Sequence, residues 1–589
     1  VTSLEINQGV FPSINIPECY DLYTQKRFDK LCEILFNYMR HFNEVCYASF
    51  SKTDIRSIND YVEFVFFIFT RTDFRMPDAW TPLFININHI FANLVALSAY
   101  GTTDGPLASL LGQEGNYCKL LFMYTCRNKS VVPIQDLIRI NPALSTLWWN
   151  NFSVAPCGAT SELINENMES HLKSFIPELY LTDIRVQPVY FQCSYHGLDE
   201  RAIKEWQNKE LRKFISKQQK IRCKPKRNRI AIITDKWQAT TAVYKSLSPQ
   251  IAELAKKYDL SLILSSRCDA STMEKSLFKR VISYKFDVQR PDLSSLDTSD
   301  FQLAYFPDVG MTDESTYLAN TRLAPIMVCG YGHPVSTYGS LIDYFIGGQG
   351  SERADLYKEN YSERLVLIPG LGAHPVDPKY TRKYPEADGV FRINCCWTSS
   401  KINWPMLKML REIQLQSSIP IHYQFFPSWT GTRYNCYFII QREMANIFDG
   451  NVTVHYNLKY QDYLTEMERA SLTIDSHPFG GYNTVVDSLF VGCPVVTIEG
   501  TKFYNRASSA LTRLAGVDFS TTSIEECKKQ TLELINNPEK LLKARNLLDN
   551  VPRLEQLLLH TEEPQGFVKA IDYILKNHPV PGTEPIIIT

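Results

Sequence analysis

The stretch Ser471 to Gly500, SLTIDSHPFGGYNTVVDSLFVGCPVVTIEG, constrains this 589-residue chain more than any other. Ser471–Asp475 is a short apolar run closed by an acid, the pattern of a buried parallel strand. His477–Thr484 is a turn of glycine and small polar residues. Val485–Val491 has helical spacing, carries Asp487 in its first turns, and is stopped by Gly492-Cys493-Pro494. Val495–Ile498 reads as the next strand. Strand, glycine loop, helix, strand is a βαβ unit. Its loop falls at the carboxyl end of a strand and at a helix N-terminus. Free backbone N–H groups and the helix dipole there favour an anion such as a diphosphate. Taken alone, the pair Gly480-Gly481 would more often make only a turn, and Asn483 and Thr484 could be plain N-caps.

The alternation of strand and helix extends well beyond this unit. Residues 1 to about 190 read as helical: Phe28-Leu31-Ile34-Leu35-Tyr38-Met39, Val62-Val65-Phe66-Phe69 and Ile90-Leu94-Leu97 follow helical spacing. This region is expected to buttress the rest of the chain. Pro188–Tyr195 is a transition, and Arg201 to Lys220 is a basic helical run, read as a solvated face. At Arg229 the pattern changes. Strands are expected at Ile230–Thr234, Leu260–Ser265, Leu303–Phe306, Ile326–Gly330 and Leu365–Ile368. A second set is expected at Phe391–Trp397, Ile421–Phe426, Val452–Tyr456, Leu472–Asp475 and Val495–Ile498, with closing helices over 523–549 and 565–577 and then a tail. The expected domains are an all-α domain and linker (1–225), an N-terminal Rossmann-like lobe (226–388) and a C-terminal one (389–589). Two such lobes imply a ligand cleft, in the GT-B manner, although other two-lobed α/β enzymes share it.

Composition narrows the classes. Sixty-two basic against 63 acidic residues leave a net charge of −1, which gives no bulk attraction for nucleic acid or an acidic membrane. The 15 cysteines are scattered and contain no CxxC pair, so reduced, buried thiols and a cytoplasmic setting are expected. The opening VTSLEINQGV shows no basic region followed by a long apolar core, so no secretory signal is expected. The most apolar run, Phe64–Phe69, is too short to cross a bilayer.

HPFGGYNTVVDSLFVGCPVVT resembles the nucleotide-sugar loop of glycosyltransferase family 41. That family includes the eukaryotic O-linked N-acetylglucosamine transferase and bacterial cytoplasmic N-glucosyltransferases that modify adhesins. Pro478, Phe479, Gly480, Asn483 and Asp487 match the bacterial branch's Pro-Phe-Gly-x-x-Asn and the acid four residues later. Asn320–Ile326 with Gly332-His333-Pro334 is similar to its Asn-Thr-Arg-Leu-Ala-Pro-Ile and Gly-His-Pro, and Tyr305–Met311 to its Pro-x-x-Gly-Met. The resemblance implies a GT-B fold and a donor site made by Lys401, Tyr460, Gly480, Gly481, Tyr482, Asn483, Thr484 and Asp487. It implies a site role for His333, and it makes Lys401 the ammonium that meets the leaving diphosphate. That ammonium and the helix-end N–H groups can stabilise the leaving charge without a metal. The sequence holds no Asp-x-Asp of the metal-dependent kind and no ligand cluster with zinc spacing, so no metal is expected. His455 and His477 are further neighbours of the loop.

The chain also departs from the branch. Lys236-Trp237-Gln238-Ala239-Thr240-Thr241 stands where the branch has several histidines. Gln192 and Asn457 stand where it often has one, and Trp429 where it has glutamine. Asp235 is the nearest ionisable candidate for a base. These readings lead to a metal-independent, inverting transfer of a hexose, glucose first, from a UDP-sugar to a polypeptide side chain, asparagine favoured. The acceptor would be an adhesin or another surface protein before export. The rivals are another donor (a nucleotide heptose or an N-acetylhexosamine), a Ser/Thr acceptor, a small-molecule acceptor, or a catalytically silent nucleotide-binding protein.

Overall fold

Helical periodicity before residue 200 and strand–helix alternation after it are both realised in the computed structural model. The structure describes residues 11–44, 47, 49–111, 113, 115–132, 134–152, 158–175, 187–215, 221–287, 291–296, 298–386, 388–427, 436–456 and 458–589. Trp429 and Asn457 lie outside them, as does the end of the basic run, 216–220.

The chain divides into two compact units. The first joins Val1–Leu198 to Trp397–Gln414 and His422–Leu458. Its helices follow the expected apolar spacing, as in Phe28–Glu44, Lys52–Thr70 and Asn88–Leu97. Ser51 and Asp54 form a capping box that starts Lys52–Thr70 and satisfies two otherwise orphaned N–H groups. The core of this unit is aromatic: Phe122 packs against Phe69, Phe84 and Phe91 at 4.9, 5.4 and 4.7 Å between ring centroids. Pro188–Tyr195, read as a transition, is itself helical within Gln187–Tyr195. The helical region buttresses the helix Cys436–Ile447: Arg127 pairs with Glu443 at 3.0 Å, Arg442 Nη2 donates to the Ala96 carbonyl at 2.7 Å, and Phe50 meets Phe438 at 4.6 Å.

The second unit joins Asp199–Cys396 to Leu415–Ile421 and Lys459–Thr589. The fold rests on two parallel sheets. The first contains β1 (Arg229–Ile233), β2 (Asp259–Ser265), β3 (Arg280–Tyr284), β4 (Leu303–Phe306), β5 (Ile326–Cys329), β6 (Tyr344–Gly348) and β7 (Arg364–Ile368). The second contains β8 (Phe391–Cys395), β9 (Ile421–Phe425), β10 (Val452–Val454), β11 (Leu472–Ile474), β12 (Val495–Ile498) and β13 (Phe519–Thr521). A last strand, β14 (Ile586–Ile587), returns to the first sheet. The strand orders are β14-β7-β6-β5-β4-β1-β2-β3 and β10-β9-β8-β11-β12-β13. Both are doubly wound parallel sheets, so the architecture is GT-B with an all-α region before it.

Four of these strands were not expected from the sequence: β3, β6, β13 and β14. β6 reads YFIGG, and its Gly347 and Gly348 hide the strand pattern because the backbone of Leu371 and Gly372 approaches too closely for a Cβ at Gly348. The closing region also differs from the expected tail. The expected helix over 523–549 is two helices, Ile524–Asn536 and Pro538–Asp549. Helix Glu563–Asn577 packs on the first sheet, where Phe567, Ile571 and Ile574 share a core with Ile230, Val328 and Val366. Ile586 pairs with Val366, and the Ile588 N–H donates to the Leu367 carbonyl at 2.9 Å.

Twelve described cysteines form no disulfide, whereas Cys436 is disulfide-bonded, which corrects the expectation that all are reduced. Among the described residues no helix is long and apolar enough to cross a membrane. Phe567 is 1% exposed and meets Tyr305 edge-on at 5.1 Å. Phe567→Ala should therefore cost about 3–5 kcal/mol, read as a lower urea midpoint for the transition that melts this sheet.

Candidate functional site

The loop after β11 is shaped by one carboxylate. Asp475 directly follows the strand and accepts the Gly481 N–H on both oxygens, at 2.9 and 3.0 Å. The Gly480 N–H donates to the Tyr504 carbonyl at 2.8 Å, and the Phe479 and Tyr504 rings stack at 4.8 Å. A Cβ on Gly481 would lie 2.1 Å from Thr484 Oγ1, and one on Gly480 would lie 2.8 Å from both Asp475 Oδ2 and Ser508 Oγ. Both positions therefore require glycine for close approach rather than for an unusual backbone angle. The two glycine amides are committed inside the protein. The N-terminus that this loop presents begins at Asn483.

Helix α3 (Asn483–Phe490) starts there, preceded in the chain by α1 (Ala242–Ala255) and α2 (Tyr460–Glu468). Side chains from all three meet. Tyr460 donates from its hydroxyl to Asp487 Oδ1 at 2.5 Å. Lys245 on α1 holds its ammonium 3.7 Å from the centroid of the Tyr460 ring. The Asn483 side-chain amide donates to Ser246 Oγ at 3.3 Å and to the Ala242 carbonyl at 3.4 Å. The Tyr482 hydroxyl donates to the Ala373 carbonyl. Asp487 is 6% exposed, and burial pushes its carboxyl up to about 6, with the Tyr460 hydroxyl and Lys245 pulling it back. Tyr460, Gly480, Gly481, Tyr482, Asn483, Thr484 and Asp487 thus lie on one loop and two helix starts in the second unit.

The other expected residues are placed separately. Lys401 is half-buried on a short 3-10 turn, Ser399–Lys401, in the first unit. His455 stacks on Phe426 in that unit, at 4.4 Å between centroids. His477 lies beside the loop, and burial lowers its imidazole to about 4. His333 is 1% exposed, and its backbone N–H donates to the Val309 carbonyl at 3.0 Å. Burial, then the Lys204 and Lys502 charges, hold its imidazole well below the ordinary value, so the ring is neutral.

Asp235 stands at the end of β1 and accepts the Ser265 N–H and the Ser265 hydroxyl, both at 2.7 Å. Sequence reasoning missed its neighbour Asp308, which follows β4. β1 and β4 pair side by side with Ile232 opposite Tyr305, and the strand order reverses between them. The two acids therefore flank the switch point where ligands enter such sheets. Asp308 is fully buried and accepts the Thr234 hydroxyl at 3.0 Å on Oδ2, and its Oδ1 has no partner. The signal for Asp308 was its place in Pro307-Asp308-Val309-Gly310-Met311. The signal for Lys245 was a lysine just inside the helix after the first strand. Among the described residues no group of three His, Cys, Asp or Glu side chains is placed to hold a metal ion.

Burial, with Asp235 next to it, raises the Asp308 carboxyl from its ordinary 3.8 to about 7. The folded chain then keeps a proton that the unfolded chain releases, so this group's contribution to stability falls as pH rises from about 4 to about 7. Asp308→Asn cannot ionise and should flatten that part of the curve, gaining most relative to wild type near pH ~8, measured by urea unfolding across the range.

No family model matches the chain. The UDP-glucose:protein N-beta-glucosyltransferase of Actinobacillus pleuropneumoniae serotype 5b (strain L20) is 22% identical over 419 residues, covering 66% of this chain and 65% of that protein. The protein of the same name from serotype 7 (strain AP76) is 24% identical over 290 residues, covering 46% of this chain and 45% of that protein. The match thus spans less than two thirds of the length of these relatives. Among solved structures, a lysine-to-methionine mutant of the Thermobaculum terrenum O-GlcNAc transferase covers 93% of this chain and 98% of its own, with a TM-score of 0.57 and 16% identity, a likeness of fold. With its GT-B sheets and the loop at Gly480–Asp487, the chain is a relative of the bacterial UDP-glucose:protein N-β-glucosyltransferases and resembles glycosyltransferase family 41.

Proposed function

We propose that this chain is a metal-independent, inverting protein glycosyltransferase that moves a hexose, glucose first, from a UDP-sugar to a polypeptide side chain, with asparagine the favoured acceptor. The observation that carries the reading is the start of α3. There a shaped glycine loop, the first residues of the helix and the Tyr460–Asp487 pair lie together. The names of the two relatives support the donor and the kind of acceptor.

Inversion is a single displacement. The acceptor atom attacks the anomeric carbon as the bond from that carbon to the phosphate oxygen breaks. The electron pair leaves on the diphosphate, and the acceptor's proton passes to a base. The rate depends on stabilising charge that develops on the leaving oxygen, which calls for fixed donors rather than mobile water. Lys401 is assigned as the ammonium for that charge, and the α3 N-terminus supplies dipole and N–H groups. With these in place the reaction needs no metal and no cofactor beyond the donor itself. Gly480 and Gly481 shape the loop, while Tyr460, Tyr482, Asn483, Thr484 and Asp487 bind the donor. Asp235 is assigned as the base, because it stands at the switch point with a carboxylate held by Ser265. His333, neutral and buried, is assigned a supporting role rather than that of the base. The proposed setting is the cytoplasm, with an adhesin or another surface protein as acceptor before export.

The test is incubation with a panel of UDP-sugars, and with peptides offering Asn-x-Ser/Thr, Ser or Thr, read by intact mass. A hexose mass gain on the asparagine peptide that Lys401→Ala removes is the expected outcome. Asp487→Asn should weaken donor use by about tenfold or more, read in KM for the UDP-sugar. UDP binding with no transfer from any donor would favour the silent-binder reading, which the loss of histidines at Lys236–Thr241 favours independently.

A further inference from the structure

Lys245 is a cation that the family resemblance does not use. It lies in the first turn of α1, whose N-cap Thr241 accepts the Tyr244 N–H on its hydroxyl at 3.3 Å. Its ammonium rests on the Tyr460 ring, and the Tyr460 hydroxyl is held by Asp487. On the same turn of α1, Ser246 and Ala242 receive the Asn483 side chain. Helix α1 therefore touches the start of α2 and the start of α3 through adjacent residues.

The charge around Lys245 is incompletely balanced. The side chain is half-buried, and among the described residues no carboxylate lies within ion-pair distance of it. Burial lowers its pKa and Asp487 is the acid that raises it, but Asp487 already accepts the Tyr460 hydroxyl and is itself pushed toward neutrality by burial. An ammonium over an aromatic face, with only a shared and partly neutralised acid near it, lies where an entering anion gains most. The neighbouring helix N-terminus favours the same sign of ligand.

We propose that Lys245 is a second cation of the donor site, which pairs with the diphosphate of the nucleotide sugar at the start of α3. The assignment rests on the UDP-sugar reading above and deepens it by naming the residue on the first sheet's helix that recognises the phosphates. When the anomeric bond breaks and its electron pair moves to the phosphate oxygen, the Lys245 ammonium stabilises the growing charge together with the N–H groups of α3. Phosphate pairing also explains why a lysine with a flexible stem stands here, since its charge can leave the Tyr460 ring and swing to the ligand.

Calorimetric titration of the full chain with UDP and with uridine tests this. Lys245→Met and Lys245→Gln should bind UDP about tenfold or more weakly and bind uridine as wild type does, while Lys245→Arg keeps most of the UDP affinity. Uridine binding also reports that the variant site is folded. The proposal is overturned if both neutral variants bind UDP as tightly as wild type, or more tightly. It is also overturned if UDP and uridine weaken by the same factor, as a structural role through Tyr460 would require. Wild-type protein that binds neither ligand would instead remove the UDP-sugar reading itself, and the assignment with it.

Discussion

The glycine loop after β11 depends on the Asp475 carboxylate at the end of that strand. Holding one glycine amide on both oxygens turns the chain sharply, brings Gly480 against Tyr504, and leads directly into α3. The geometry leaves no room for side chains at Gly480 and Gly481. It also separates two roles that a glycine-rich turn can play. Here the glycines give the loop its shape, and their amides are already engaged. The groups proposed to meet the donor come after them, from Asn483 onward, and from Tyr460 and Lys245, which meet at the helix starts.

Within the second unit the protein holds buried acids and bases in forms that reduce net charge. Asp487, Asp308 and Glu563 are buried and raised, and His333 and His477 are lowered. Desolvation is the first cause in every case. Glu563, which accepts the Leu371 N–H at 3.2 Å, supports the Gly370–Ala373 turn that receives the Tyr482 hydroxyl. A buried region with few full countercharges strengthens each remaining one, because the local dielectric is low. The diphosphate proposed as ligand would be bound by a small number of groups under this physical condition.

The fold was legible in the sequence wherever a single strong period dominated. Apolar tetrads such as those of β4 and β12 fell at their expected bounds, and the helices of the first unit followed their 3.6-residue spacing. Strands were missed where glycine or edge position blurred the pattern, as in the YFIGG of β6 and the two-residue β14. The glycine loop was legible because its glycines, asparagine and acid lie close together in sequence. Asp308 and Lys245 were not, because their meaning comes from strand order and from a contact between residues far apart in the chain, which no local spacing encodes. A lysine on an amphipathic helix otherwise reads as a solvated face.

The return of residues 563–589 to the first sheet has a consequence for biosynthesis. On the ribosome β1 to β7 emerge well before the helix and edge strand that cover them, since β8 to β13 are made in between. Until then the nascent sheet exposes Val366, Ile368 and Tyr305 where Phe567 and Ile586 will later pack, together with the open backbone of β7. The sheet that emerges first is therefore completed last. A ribosome stalled late in the message would release a chain whose first lobe is unsealed, and such a product is a substrate for chaperones or proteases rather than a shorter working enzyme.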